Sequence, residues 1–439
     1  ASAGMSDMSE PTVAPRAAAG ESTRSRGVRN SLARRLVRRR LEMPHAGRIE
    51  IIDPVGRYVL PVAEDADPEF RVRVRIHDSA FYTRTLFAGP LGVAEAYLDG
   101  LWECDDLLAL LRIFARRASD LDRLDRGPAR IGRVVLGRLN RLRRNSLRGS
   151  RRNIREHYDL GNEFFRLMLD ETMTYSSGIF EHEDATLHDA SVAKLDRICR
   201  RLGLKPGQRV LETGSGWGSF ALHAARHYGC HVTTTTISRE QYELASERIR
   251  AAGLEDRITL LEQDYRDLRG TYDRVVSIEM IEAVGHEYLE SYIRACTERL
   301  APVGLMLAQV ITMPDHLYPR YLRGVDFIRR FVFPGSCCPA ISAVTAAAGR
   351  AGDLKLVHLE DITEHYAKTL RCWRDNFTAR LDDVRRLGYP ERFLRLWAYY
   401  LCYCEAGFRE RAVADVQMLF ARPGYRGSLP LSERRTGDG

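Results

Sequence analysis

The reading of this chain turns on Val210-Leu-Glu-Thr-Gly-Ser-Gly-Trp-Gly-Ser-Phe220. It opens on an apolar run from Arg209 to Leu211 that reads as a buried strand. It runs on into Ala221-Leu-His-Ala-Ala-Arg-His227, which reads as a helix. Strand, glycine-rich turn and helix together make a nucleotide cradle. Gly214, Gly216 and Gly218 allow a tight turn and a close approach of backbone to ligand. Glu212 ends the strand, where an acid can accept hydrogen bonds from a hydroxylated or cationic ligand. Dinucleotide enzymes use similar turns, so the neighbouring strands must decide the ligand.

Outward from this stretch, strands are expected at 208–213, 230–236, 257–262, 272–278, 304–311, 354–360 and 413–421, with helices in most gaps. Such alternation predicts an α/β fold, a doubly wound parallel sheet of seven strands that binds ligand at the carboxyl ends of its central strands. A dinucleotide site would need an acid about 20 residues past the glycines. The second strand instead ends Thr233-Thr-Thr-Thr-Ile-Ser238. The third ends Glu262-Gln-Asp264-Tyr265, where Asp264 can accept from an adenine amine and Tyr265 can cover the ring. That arrangement suits a class I S-adenosylmethionine methyltransferase better than a dehydrogenase.

The expected domains are a disordered basic segment (1–45), a small N-terminal domain (46–120), a basic linker (121–155), the methyltransferase domain (156–425) with helical lid insertions, and a disordered tail (426–439). From Ser31, a short basic helix would carry Leu32, Leu36 and Val37 on one side. In the small domain Arg71 to Ile76 alternates with period two and reads as a strand. Gly89-Pro90 marks a turn, and Leu91 to Leu98 reads as a helix. The linker holds eleven arginines between Arg126 and Arg155.

The chain has 439 residues, 44% of them apolar, and a formal net charge of +8. The charge favours an anionic partner, and the two arginine-rich segments point to an anionic membrane surface. The nine cysteines are scattered without a Cys-x-x-Cys pair, which argues for reduced thiols and against a metal site. No apolar run approaches the ~20 residues that span a bilayer. A cytoplasmic protein, peripheral at the inner face of the membrane, is the resulting expectation.

His157-Tyr-Asp-Leu-Gly-Asn162, Tyr175-Ser-Ser177, Leu211 to Gly218, Thr236-Ile-Ser-Arg-Glu-Gln241, Gln263 to Asp267, Glu279-Met-Ile-Glu-Ala-Val-Gly285 and Phe333-Pro334 form a set that resembles the cyclopropane fatty acid synthase family. Tyr366, Tyr399 to Leu401 and Gly407 to Arg409 extend it, and Gly92 to Asp105 resembles the N-terminal domain of the full-length bacterial enzymes. The resemblance implies methyl transfer to a cis double bond of an unsaturated phospholipid acyl chain through a carbocation. It implies that Tyr175 and Ser176 meet the methionine end of S-adenosylmethionine, that Gly214 and its neighbours cradle it, and that Thr236 and Gln241 lie along the ribose. Tyr158, Phe164, Phe165, Tyr175, Phe333 and Tyr366 are candidate aromatic walls.

In the family a bicarbonate ion serves as base, held by a Cys backbone, a Glu, a His and a Tyr. Here the matching residues are Ser177, Glu282, Gln309 and Tyr366. Gln309 cannot titrate as His can, so bicarbonate is set against a protein carboxylate, for which Glu171 and Glu405 are the extra acids. These departures, with Gln309-Val-Ile-Thr-Met-Pro314, resemble the actinobacterial branch linked to 10-methyl fatty acids. That branch implies a 10-methylene product, reduced afterwards by a flavin-dependent oxidoreductase. The alternatives are a cyclopropane product, a nucleic-acid or small-molecule amine methyltransferase, and a non-catalytic lipid-binding scaffold. The chain has no Asn/Asp-Pro-Pro-aromatic or Pro-Cys motif, which argues against nucleic acid. A homo-oligomer completes the expected partners.

Overall fold

The computed structural model describes residues 23–116 and 160–429, with side chains from Asn30 onward in the first helix. The expected linker, residues 1–22 and residues 430–439 lie outside them.

The first unit carries α1 (Thr23–Leu41), β1 (Arg48–Asp53), β2 (Gly56–Val59), β3 (Arg71–Ile76), α2 (Ala80–Leu98), β4 (Trp102–Cys104) and α3 (Leu107–Arg116). Its sheet runs β2-β1-β3-β4. In β3 Val72, Val74 and Ile76 are buried and the alternating arginines exposed, the period-two pattern of a sheet with one covered face. Two expectations are corrected here. The segment assigned as disordered contains α1, which packs on α2 and is pinned by Arg34 Nε donating to buried Asp53 at 2.6 Å. Ala33, Val37 and Leu41 face inward at spacings of four, while Leu32 (55% exposed) and Leu36 (38%) face outward, so Val37 does not share their side. The expected break at Gly89-Pro90 is present: Gly89 has φ 59° and ψ −137°, a kink at which α2 divides into two helical stretches, the second ending at Leu98.

The second unit carries α4 (Asn162–Met168), α5 (Leu187–Arg201), β5 (Arg209–Thr213), α6 (Ser219–Tyr228), β6 (His231–Thr236), α7 (Arg239–Ala251), β7 (Ile258–Glu262), β8 (Tyr272–Ile278), α8 (Ile281–Val284), α9 (Leu289–Arg299), β9 (Leu300–Thr312), α10 (Ile341–Ala351), β10 (Lys355–Asp361), α11 (Thr363–Ala379), α12 (Glu391–Arg409) and β11 (Ala414–Ala421). The seven strands run β10-β11-β9-β8-β5-β6-β7. The sheet is mixed, not wholly parallel, because β11 is antiparallel to both of its neighbours. After β10, α11 leads away from the sheet and α12 leads back against it, returning the chain to the edge it left. β11 must therefore run the opposite way.

Apolar side chains cover both faces of this sheet. A third cluster joins the units, from Val37, Ile49 and Trp102 to Phe165, Trp373 and Trp397. At the junction α12 packs against α11, α2 and α3. Glu410, just beyond α12, takes Arg112 at 2.6 Å and Arg116 at 2.8 Å.

Candidate active site

The glycine-rich turn lies at the carboxyl end of β5, in the middle of the sheet. Gly214, Gly216 and Gly218 all have positive φ (89°, 50° and 86°). A Cβ on Gly214 would stand 2.9 Å from Met280, whereas one on Gly216 would meet nothing within 4 Å. The backbone at Gly216 thus borders open space beside the start of α6, where peptide dipoles favour electron-rich ligand groups. Gly218 does not line that space; it lets the α6 start pack on Ala245 of α7.

The space is one cavity of about 880 Å³. Tyr175, Ser176, Glu212, Gly214, Gly216, Thr236, Gln241, Asp264 and Tyr265 all line it. The Thr236 hydroxyl donates to Gln241 Oε1 at 2.8 Å, which fixes the amide with its NH₂ as the remaining end. Asp264 accepts from Arg266 N at 3.0 Å and so caps the next turn while also facing the cavity. The Tyr265 ring stands edge-on to Tyr292, 4.9 Å between centroids. Glu212 accepts from Thr234 at 2.6 Å, and burial pushes its carboxyl up to about 8. Lys194, which sequence reasoning missed, is buried at the same end. It donates to Ser176 Oγ at 2.9 Å, and burial pulls its amine down to about 8.

Across the cavity the expected catalytic group is rearranged. Ser177, Gln309 and Tyr366 do converge, but on Glu279 rather than on Glu282. Ser177 N donates to Glu279 Oε1 at 2.8 Å, Gln309 Nε2 donates to the same oxygen at 2.8 Å, and the Tyr366 hydroxyl donates to Oε2 at 2.6 Å. Gln309 Nε2 also donates to Asp415 at 3.1 Å, and Gln309 Oε1 accepts from Gln417 at 3.1 Å. Ser177 and Gln309 do not reach the cavity; Glu279, Glu282 and Tyr366 do. Glu279 sits one residue past β8, beside Gln309 on β9, and holds φ 47°. That left-handed conformation costs a non-glycine residue about 1–2 kcal/mol.

Three carboxyl groups crowd together here, Glu282 and Asp415 buried and Glu279 half-buried, and they cannot all be charged. Burial raises Glu279, and its three hydrogen-bond donors oppose that rise. Glu282 has only the Ile311 amide, at 2.5 Å, and burial with the nearby Glu279 pushes it up to about 8. Its Oε2 is buried with no hydrogen-bond partner among the described residues. Asp415 is raised well above the usual carboxylate range by burial. The arrangement favours an ionised Glu279 beside a protonated Glu282.

Other expectations fail on burial. Glu171 is a surface group, its side chain 80% exposed and paired with His188 at 3.2 Å, away from the cavity. Glu405 is fully buried but outside the cavity, held by Arg374 at 3.1 Å and Arg409 at 2.8 Å. Of the candidate walls, Tyr175, Phe333 and Tyr366 line the cavity. Phe164 and Phe165 are core, and Tyr158 lies outside the described residues. Phe327 and Tyr403 are wall residues the sequence did not single out, and Tyr399, Tyr400 and Phe408, which the sequence marked only as part of the family resemblance, also line the cavity. Sequence reasoning also missed Glu279; its place at the carboxyl end of a central strand, beside β5, marks it as a candidate acid but does not separate it from Glu282.

Fold and cradle define a class I S-adenosylmethionine-dependent methyltransferase. Residues 145–418 match the family profile described as mycolic acid cyclopropane synthetase. The chain is 36% identical over 343 residues to the tuberculostearic acid methyltransferase UfaA1 of Mycobacterium tuberculosis, covering 76% of this chain and 80% of that protein. It is 35% identical over 351 residues to the cyclopropane-fatty-acyl-phospholipid synthase of Escherichia coli, covering 80% and 87%. Among solved structures, the mycolic acid cyclopropane synthase CmaA1 complexed with SAH and CTAB aligns with a TM-score of 0.58 at 30% identity, covering 62% of this chain and 98% of that one. The chain belongs to the mycolic acid cyclopropane synthetase family, as an S-adenosylmethionine-dependent C-methyltransferase of the cyclopropane synthase type. Among the described residues, no helix is long and apolar enough to cross a membrane.

Proposed function

We propose that the enzyme methylates the cis double bond of an oleoyl-type acyl chain in membrane phospholipid, giving a 10-methylene chain, and that Glu279 is its base. The carrying observation is the Glu279 carboxylate, which fills the point where Ser177 N–H, the Gln309 amide and the Tyr366 hydroxyl converge. The family's bicarbonate does not fit beside it, because its donors are already engaged.

Bound along Gly214 to Gly216, S-adenosylmethionine supplies an electrophilic methyl group. Tyr175, Ser176, Thr236, Gln241, Asp264 and Tyr265 hold its ends, with Lys194 at hand for a carboxylate. The alkene's π electrons would form the new carbon–carbon bond to that methyl as its bond to sulfur breaks and S-adenosylhomocysteine leaves, and the cation left on the chain would be met by the aromatic faces of Phe333, Tyr400 and Phe408. A hydride shift places the cation on the methylated carbon. Glu279 then takes a proton from the new methyl, whose C–H electrons become the exocyclic double bond. Enclosure in an apolar cavity keeps water from the cation. A flavin-dependent oxidoreductase acting on the product would complete the path to a 10-methyl chain.

The membrane reading draws support from α1, whose exposed Leu32 and Leu36 stand among exposed Arg35 and Arg39. This is a basic amphipathic surface suited to anionic lipid. The test is incubation with methyl-labelled S-adenosylmethionine and oleoyl phospholipid vesicles, followed by mass spectrometry and proton NMR of the released fatty acids. Vinylidene signals are expected. Cyclopropyl signals alone would make the cyclopropane product the correct one, and no label in the acyl fraction would sink the proposal.

A further inference from the structure

The cavity does not stop at the catalytic group. It continues along α12, past Tyr399 and Tyr403, and enters the interior of the small N-terminal unit. There its walls are Ile49 and Ile51 of β1, Val74 of β3, Leu110 and Phe114 of α3, and Ala88 at the kink of α2. Ile49, Ile51, Val74 and Leu110 are each buried, so these walls lie inside the unit and not on its outer surface. The kink shapes the passage, since Ala88 and Pro90 on either side of Gly89 both line it.

Protein interiors normally leave few voids larger than a water molecule. An apolar void running from one unit into another therefore calls for an occupant. Thr85 Oγ1 adds a second sign. It lines this part of the cavity, is buried, and has no hydrogen-bond partner among the described residues, which is where a ligand or water is to be expected. The chemistry supplies the occupant. A chain that reacts at an internal double bond extends in both directions from the reacting carbons, so a site that encloses those carbons needs apolar room on both sides.

We propose that the interior of the small N-terminal unit is an acyl-chain subsite. It takes hydrocarbon remote from the reacting double bond, while Glu279 and the cofactor cradle act at the other end of the same cavity. The inference rests on the acyl-chain reading above. Two sources of hydrocarbon fit the subsite: the methyl end of the unsaturated chain itself, or the companion chain of the same phospholipid.

Photocrosslinking of the full-length enzyme tests it by binding alone. One probe phospholipid carries a terminal diazirine on its unsaturated chain, and a second carries it on the saturated companion chain. Peptides containing Ile49 to Ile51, Val74 or Leu110 to Phe114 should be labelled by one of the two, and which one identifies the source. Labelling confined to the methyltransferase unit with both probes would overturn the proposal, whether or not the enzyme turns over. As a second measurement, Ala88→Trp narrows the passage at a half-buried position. It should lower kcat/KM for oleoyl phospholipid by about 10-fold or more relative to a shorter monounsaturated chain, with S-adenosylmethionine binding unchanged. An unchanged ratio between the two chains in a folded variant would also overturn it. Absence of methyl transfer by the wild type to either lipid would instead refute the acyl-methylation reading, and the crosslinking would still report on the subsite.

Discussion

The Tyr366 hydroxyl donates to Glu279 Oε2 at 2.6 Å, and the Tyr366 ring stacks on Phe408 with 4.4 Å between centroids. The phenol is fixed on its face and at its tip, so the carboxylate is aimed into the cavity by a group with little freedom to move.

If Glu279 is the base, Glu279→Gln should keep the shape and lose the chemistry. A positioned base contributes about 10²–10⁴-fold, so kcat should fall by that order while calorimetry shows unchanged S-adenosylmethionine affinity. Glu279→Gly is the sharper variant. Glycine accepts the φ of 47° without strain, and it vacates an anion-sized space between Ser177 N–H, Gln309 and Tyr366. Added bicarbonate should restore part of the activity of Glu279→Gly and none of that of Glu279→Gln.

Tyr366→Phe removes one donor from the Glu279 carboxylate. Hydrogen bonds to charged groups are worth about 1.5–3 kcal/mol, so the acidic limb of the kcat–pH profile should move up by about one unit or more. A lowered rate with the limb unmoved would mean that the hydroxyl serves only to position substrate.

Stability and activity should respond to pH in opposite directions. Glu282 and Glu212 are each raised from 4.5 to about 8 in the folded protein. Between those limits the folded state holds more protons than the unfolded one, so stability falls as pH rises. Lys194, lowered from 10.5 to about 8, adds the reverse slope only above that window. Urea midpoints should therefore decline from about pH 5 to pH 8, and Glu282→Gln should flatten the decline. If Glu279 is the base, activity should instead rise with pH as its carboxyl ionises.

Glu171→Ala should change neither kcat nor KM by more than about 2-fold, the usual limit for a surface substitution. Its carboxylate lies outside the cavity and, among the described residues, pairs with His188.

Membrane contact through α1 can be divided into two parts. Leu32→Ser with Leu36→Ser should weaken co-sedimentation with both neutral and anionic vesicles. Arg35→Gln with Arg39→Gln should weaken binding to anionic vesicles alone, by about 1 kcal/mol per arginine at low salt. Unchanged sedimentation of both double variants would show that α1 does not touch the bilayer.

The central strands could be read from the sequence because strands covered on both faces are apolar runs bounded by glycines and polar turns. β5 to β8 fall within a residue or two of expectation. The direction of β11 was not legible, since it depends on where α11 and α12 return the chain. The inward face of α1 was misread because Val37 and Leu36 are adjacent in sequence, and only packing on α2 separates them. The cofactor cradle was legible because its residues sit at strand ends in chain order. The proposed base was not, since Glu279 and Glu282 are three residues apart and only the fold shows which of them meets Ser177, Gln309 and Tyr366. Glu171 looked close in sequence but points to solvent.

The left-handed Glu279 has a consequence beyond the geometry of proton removal. An enzyme that borrows its base from solution works at a rate tied to dissolved carbon dioxide, and so to respiration and to acidity. A base written into the chain removes the dependence on carbon dioxide, while its own ionisation still follows pH. On this reading lipid methylation would proceed, at a given pH, at the same rate in cells rich or poor in carbon dioxide.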